Sequence, residues 1–269
     1  MVDDFDINVL LAHVKEVGRI FLAEFRQKEI PQTRRDFMTA LKMVEDRSLF
    51  ELRLRIDPLA PQIPWADDDE YDGEAQKKPA AHRQYWLCDT MDGAIQYLQH
   101  IAGWSINLVL IRESLPYFAV IYDPFQDELF WAVEGQGSFM NDVKLKIIRK
   151  KEAFNMVAVI EYGHQLKSDR GWKAKIEAAF SALLSRFGVV RNYGPHGLQL
   201  AYLGAGRIDL FLQKDLDTHN WLAGMLIAKE AGAVMLSADG SEWKWGNGDL
   251  LAGTPESVKI MLSPKFDTI

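Results

Sequence analysis

Four short apolar runs, at residues 85–88, 105–111, 117–122 and 128–133, follow one another, with turn signals between and after them. Runs of this length, rich in β-branched and aromatic residues, are strand-like rather than helical. Leu115-Pro116 and Asp123-Pro124 mark two reversals, and Gly135-Gln136-Gly137 and Asn141-Asp142 mark two more, so the spacing predicts an antiparallel meander. Ahead of it, Leu10, Val14, Val17 and Phe21 recur at helical spacing and predict a helix over residues 6–25, with a second over 42–54. Pro58, Pro61 and Pro64 then interrupt regular structure before the acidic run Asp67-Asp68-Asp69-Glu70, which sits in a loop or at a strand end. After Lys150 the order changes to strand and helix in alternation: strands at 156–160, 189–191 and 208–212, helices at 169–187, 198–203 and 221–231. The expected organisation is an N-terminal α+β lobe over 1–150 and a C-terminal α/β lobe over 151–269. No Gly/Ser-rich linker divides them, which places a site in the cleft between.

A net charge of -7 argues against nonspecific nucleic-acid binding, because phosphate-backbone contact needs a basic surface. An acidic chain that takes an anionic substrate needs a local positive centre, and a bound divalent cation supplies one. The single cysteine, Cys88, allows no intramolecular disulfide and suits a reducing compartment. No apolar run approaches the roughly 18 to 20 residues that span a bilayer, and Met1-Val2-Asp3-Asp4 is acidic where a signal peptide is basic. The expectation is a cytoplasmic protein without membrane contact.

The segment Trp86-Leu87-Cys88-Asp89-Thr90-Met91-Asp92-Gly93-Ala94-Ile95 carries the clearest chemical signal. An apolar strand ends in two aspartates and a glycine, a pattern that fits either a cradle for a hard cation such as Mg2+ or an Asp-capped loop. Gly93 permits a sharp turn, and a helix starting at Ala94 would aim free N–H groups at an anion.

This segment resembles the signature of the inositol monophosphatase family, in which an apolar strand runs into Asp-Pro-Ile/Leu-Asp-Gly-Thr. Further matches follow in order: Tyr122-Asp123-Pro124, then Glu134-Gly135-Gln136-Gly137-Ser138-Phe139-Met140-Asn141, then Arg207-Ile208-Asp209, then Ala223-Gly224 leading to Glu230-Ala231-Gly232-Ala233. The resemblance covers nearly the whole chain and implies a layered α/β/α/β/α sandwich. The activity it implies is Mg2+-dependent hydrolysis of a small phosphate monoester by a metal-activated water, without a phosphoenzyme, in a protein that is often a homodimer. Carried over by position, the first metal falls to Asp67 (or Asp68), Asp89 and the carbonyl of Met91. The second falls to Asp89, Asp92 and Asn220, and the phosphate to the amides of Gly93, Ala94 and Ile95.

The chain departs from that pattern at several positions. Asn220 stands where the family has an aspartate, with Asp217 nearby as a substitute; Asn220 also reads as a plain helix N-cap. Ala94 replaces a threonine that orients the attacking water, and Lys42 falls where its supporting carboxylate belongs. Gln213 replaces a glutamate that binds substrate hydroxyls, while His196 and His219 receive no catalytic role. Three functions remain open: a working phosphatase on an inositol monophosphate-like ester; an impaired relative that binds a phosphorylated small molecule or serves as a regulatory subunit; and a phosphatase of nucleotide 3'-phosphates or sugar bisphosphates.

Overall fold

The structure is a computed structural model that describes residues 5–66, 75–162, 170–214 and 218–264. Asp67, Asp68 and Asp217 lie outside the described residues. Helix α1 (Ile7–Glu24) opens where the carboxylate of Asp6 accepts from the amide of Asn8 at 2.9 Å, and it buries Leu10, Val14, Val17 and Phe21 as the spacing predicts. Helix α2 (Arg34–Ile56) begins well before the expected residue 42, with the Thr33 hydroxyl accepting from the amide of Asp36 at 3.2 Å. Its buried residues are only Ser48, Leu52 and Ile56, so its first half carries no apolar stripe to announce it.

The meander follows as β1 (Gln84–Asp92), β2 (Ser105–Arg112), β3 (Leu115–Asp123), β4 (Glu128–Val133), β5 (Gly137–Met140) and β6 (Val143–Lys144), each antiparallel to the next. A short helix α3 (Ala94–Leu98) sits between β1 and β2. The reversal expected at Leu115-Pro116 falls instead at Glu113 and Ser114, whose φ values of 49° and 66° make the turn. Pro116 pairs with Ile111 beside a register irregularity, a position where a residue lacking an N–H is tolerated in a strand.

The second sheet has the order β10-β11-β9-β7-β8. It comprises β7 (Val157–Tyr162), β8 (Val189–Arg191), β9 (Leu210–Lys214), β10 (Val234–Leu236) and β11 (Asp249–Gly253), with α4 (Arg170–Leu184), α5 (His196–Gly204), α6 (Thr218–Glu230) and α7 (Pro255–Leu262) between and after the strands. β7 is parallel to β8 and β9, whereas β11 is antiparallel to β9 and β10. β9 starts later than residue 208 because Asp209 is engaged as a staple: its carboxylate takes the Lys150 ammonium and the Val157 amide, each at 2.7 Å, and its carbonyl accepts from the Ser257 hydroxyl at 2.6 Å.

Three apolar clusters stack the elements into five layers. One joins α1 and α2 to the outer face of the meander through Phe21, Leu52, Trp86 and Phe118. The central cluster joins both sheets across α5 and α6, through Leu87, Ile121, Val159, Phe211, Leu200 and Trp221. The third packs α4 and α7 on the far face of the second sheet through Ile160, Leu183 and Val258. The result is the expected α/β/α/β/α sandwich. Glu230 ties layers together as well, accepting from the amides of Gly135 at 3.0 Å and Gly137 at 2.8 Å.

Asp127, in the turn between β3 and β4, anchors α1 to the sheet. Its carboxylate accepts from the Tyr122 hydroxyl at 2.7 Å and meets Lys15 at 3.2 Å and Arg19 at 3.3 Å. The Tyr122 hydroxyl, pushed up to about 12 chiefly by burial, stays a donor at neutral pH and, with the two cations, holds the Asp127 carboxyl below its ordinary range. A group depressed on folding stabilises above its unfolded value, and that contribution disappears as pH falls through the folded one. Asp127→Asn, which keeps a residue tolerant of the left-handed φ of 50°, should cost a few tenths to about 1 kcal/mol at pH 7 and flatten the acid limb of stability against pH. Urea denaturation between pH 7 and pH 3 measures this; superimposable acid limbs would contradict it.

Candidate active site

In a regular strand, residues three apart point to opposite faces, so Asp89 and Asp92 would be separated by the sheet. The register of β1 against β2 changes between them: Asp89 lies opposite Asn107 and Asp92 opposite Ser105. Three steps along β1 match two along β2, which is a bulge, and both aspartates emerge on one face. That face is the inner one, because Leu87, two residues before Asp89, belongs to the cluster shared with α5 and α6.

Both carboxylates are buried, at 9% exposure for Asp89 and 4% for Asp92. The Oδ2 of Asp92 accepts from Asn107 Nδ2 at 2.9 Å and from the amide of Gly197 at 2.8 Å. Asn107 is held in turn by Ser105, whose hydroxyl donates to its Oδ1 at 2.8 Å. Both donors are neutral, and they fix the carboxylate's orientation. Gly197, near the N-terminus of α5, is required here: a Cβ would sit 3.0 Å from Asp92 Oδ2 and against Asn107 Nδ2.

Immediately after Asp92 the chain turns at Gly93 with φ of 90°, a conformation that favours glycine, and a Cβ there would lie 3.1 Å from the Gly103 carbonyl. α3 then starts at Ala94, as expected. Ala94 is buried in the apolar cluster with α1 and α2, and Ile95 is partly exposed. The side chain of Met91 is buried in that same cluster.

From the other sheet, Gln213 also faces the central helical layer, since Phe211, two residues earlier, belongs to the shared cluster. Gln213 is fully buried, and its Oε1 accepts from Trp221 Nε1 at 2.5 Å. Asn220 is half-buried and stands third in α6 as described, so it does not open the helix as an N-cap. Next to it the amide of His219 donates to Gln76 Oε1 at 3.0 Å, which ties the start of α6 to the segment following the acidic run.

Lys42 does not enter this site. It is 76% exposed, its ammonium is 2.9 Å from Asp46 one turn along α2, and α2 packs on the opposite face of the meander from Asp89. On that face the Ser48 hydroxyl donates to Thr90 Oγ1 at 2.5 Å.

The oxygens of Asp89 and Asp92 are hard donors of the kind that suits a hard dication. Among the described residues no group of three or more His, Cys, Asp or Glu converges, and the upstream candidates Asp67 and Asp68 lie outside the described residues. Sequence reasoning missed Ser105 and Asn107, and it reached Gly197 only as the end of the turn Gly194-Pro195-His196-Gly197, which stands where the family has a ligand-contacting turn, without its bond to Asp92. Asn107 carried a signal, as a polar residue inside an otherwise apolar run. The bond from Gly197 to Asp92 had no signal in the sequence, since it comes from an approach between layers.

Comparison with known proteins gives a consistent picture. The inositol monophosphatase family matches residues 6–268. An inositol-1-monophosphatase of Mesorhizobium japonicum is 30% identical over 190 residues, 71% of this chain and 70% of that protein. The Nus factor SuhB of Pasteurella multocida is 24% identical over 261 residues, 96% of this chain and 94% of that protein. Among solved structures, the extragenic suppressor protein suhB of Bartonella henselae aligns with a TM-score of 0.78 at 20% identity, covering 97% of this chain and 99% of that one. The inositol monophosphatase of Anabaena aligns with a TM-score of 0.77 at 20% identity, covering 95% and 93%.

Gly197→Ala should destabilise the protein by roughly 1–3 kcal/mol through overpacking against Asp92 and Asn107. Gly248→Ala, where a Cβ meets nothing within 4 Å, should stay within about 0.5 kcal/mol of the parent. Denaturant midpoints for the pair read the difference directly, and equal midpoints would remove Gly197 from the account.

Proposed function

The chain belongs to the inositol monophosphatase family, and from that premise we propose that it hydrolyses a small phosphate monoester of the inositol monophosphate kind with the help of Mg2+. The observation that carries this reading is the bulge in β1, which sets Asp89 and Asp92 on one buried face at a strand end, with Asp92 oriented by two N–H donors. Asp89, Asp92 and the carbonyl of Met91 would hold the metal, with Asp67 or Asp68 completing the first site and Asn220 reaching toward a second. When bound, Mg2+ neutralises phosphate charge and lowers the pKa of a coordinated water. The chain's own part is positional. Asn107 and Gly197 hold Asp92 in one rotamer, and the turn at Gly93 presents the amides of Gly93, Ala94 and Ile95 to the phosphate oxygens.

Two observations bear on the rate. Ala94 offers a methyl group to the apolar cluster instead of a hydroxyl to the site, and Lys42 is spent on Asp46 at the surface. The side chains that would orient and deprotonate a water are therefore thin, which supports slow turnover and keeps a second reading in view. In it, the protein binds a phosphorylated small molecule and acts as a regulatory subunit, in keeping with relatives named Nus factor SuhB.

Release of inorganic phosphate from inositol monophosphate in Mg2+ should be abolished by chelator and lowered roughly a hundredfold or more by Asp92→Asn. Ala94→Thr combined with Asn220→Asp should raise turnover. Phosphate release that ignores chelator would sink the hydrolytic reading, and binding without turnover in both the parent and the double variant would favour the regulatory one.

A further inference from the structure

β7 and β9 run parallel with Glu161 opposite Gln213, so both side chains leave the second sheet toward α5 and α6. That is the layer which Asp89 and Asp92 face from the first sheet. Gln213 has its carbonyl oxygen committed to Trp221. Glu161 is different. It is 6% exposed, its Oε2 lies 3.4 Å from Asn192 Nδ2 and 3.7 Å from His196 Nε2, and its Oε1 has no hydrogen-bond partner among the described residues. A carboxylate oxygen removed from water without a donor is costly, and folded proteins seldom leave one so.

The position of this oxygen connects it to the proposed site. His196 opens α5, and the next residue, Gly197, donates its amide to Asp92. Glu161 therefore stands one side chain away from the backbone that orients Asp92, on the sheet opposite the aspartates. A ligand whose phosphate sits at Asp89, Asp92 and Gly93 would extend its alcohol portion toward the second sheet, where Glu161 waits as an acceptor flanked by an amide and an imidazole.

We propose that Glu161 is the specificity-determining residue for the alcohol half of the ester: Oε1 accepts a hydroxyl of the substrate, so the site selects phosphates of polyols over phosphates of alcohols with no further hydroxyl. The proposal rests on the phosphoester reading given above.

The test uses the full chain in Mg2+, with Glu161→Gln and with two ligands, inositol 1-phosphate and phenyl phosphate. Calorimetric titration gives affinities whether or not turnover occurs, and KM and kcat are separated where it does. Glu161→Gln keeps the shape and an oxygen for Asn192, and it removes the charge from the accepting group. Losing a charged hydrogen bond should weaken inositol 1-phosphate about tenfold or more in Kd or KM, with kcat little changed. Phenyl phosphate, and inorganic phosphate as a competitor, should stay within about twofold of the parent, since neither offers that hydroxyl. A merely structural role would weaken all three together, and that result, or no change in any, overturns the proposal while leaving the phosphoester reading intact. A parent protein that binds none of them overturns both. Glu161→Asp, with the carboxylate withdrawn by one methylene, should recover part of the loss if charge toward the hydroxyl is what matters; recovery no better than Glu161→Gln would count against the assignment.

Discussion

A carboxylate carried into a protein interior needs donors that hold it without erasing its charge, and Asp92 has them from two layers at once. Asn107 reaches it along the meander and Gly197 reaches it from α5, so the carboxylate records the distance between the first sheet and the central helices. The bulge that brings Asp89 to the same face depends on the same contact region, because Asp92 pairs with Ser105 and Ser105 holds Asn107. Sheet register, helix docking and site geometry are thus one constraint expressed three ways.

The architecture was legible because it depends on periodicity. The runs at 105–111 and 128–133 lie within β2 and β4, since strands buried on both faces show continuous apolar sequence. The start of α2 was not legible, since a helix that buries only Ser48, Leu52 and Ile56 has little stripe to display. Pro116 misled because proline is punctuation only where the N–H is needed, and beside the irregularity at Leu110 and Ile111 it is not. The strands β10 and β11 follow the last element predicted, the helix over 221–231, and β10 is too short to show a period.

The candidate site divides the same way. Asp89 and Asp92 were visible as a spaced pair, yet plain strand alternation would have put them on opposite faces, and only the register shows how they come together. The role of Asn107 was half visible, as an amide inside an apolar run. Glu161 had an equal claim, a charge at the end of the apolar strand β7, but its meaning depends on the pairing with Gln213 and on α5, both distant in sequence. Lys42 shows the reverse case: position alone allowed either a place at the site or an exposed helix face, and the helix that bears it packs on the outer face of the meander.

The meander has a consequence for how this molecule assembles. Each of its six strands pairs with its sequence neighbour, so it closes only short loops and has a low entropic barrier to formation. The second sheet instead inserts β11 between β10 and β9 and lays β9 beside β7, contacts between distant stretches that come at higher entropic cost. Asp89 and Asp92 therefore stand together on a sheet that can form first, and the docking of α5 is what encloses them. A ligand held by those carboxylates would bind the folded chain and not the unfolded one, so its binding would add to the stability of the closed core.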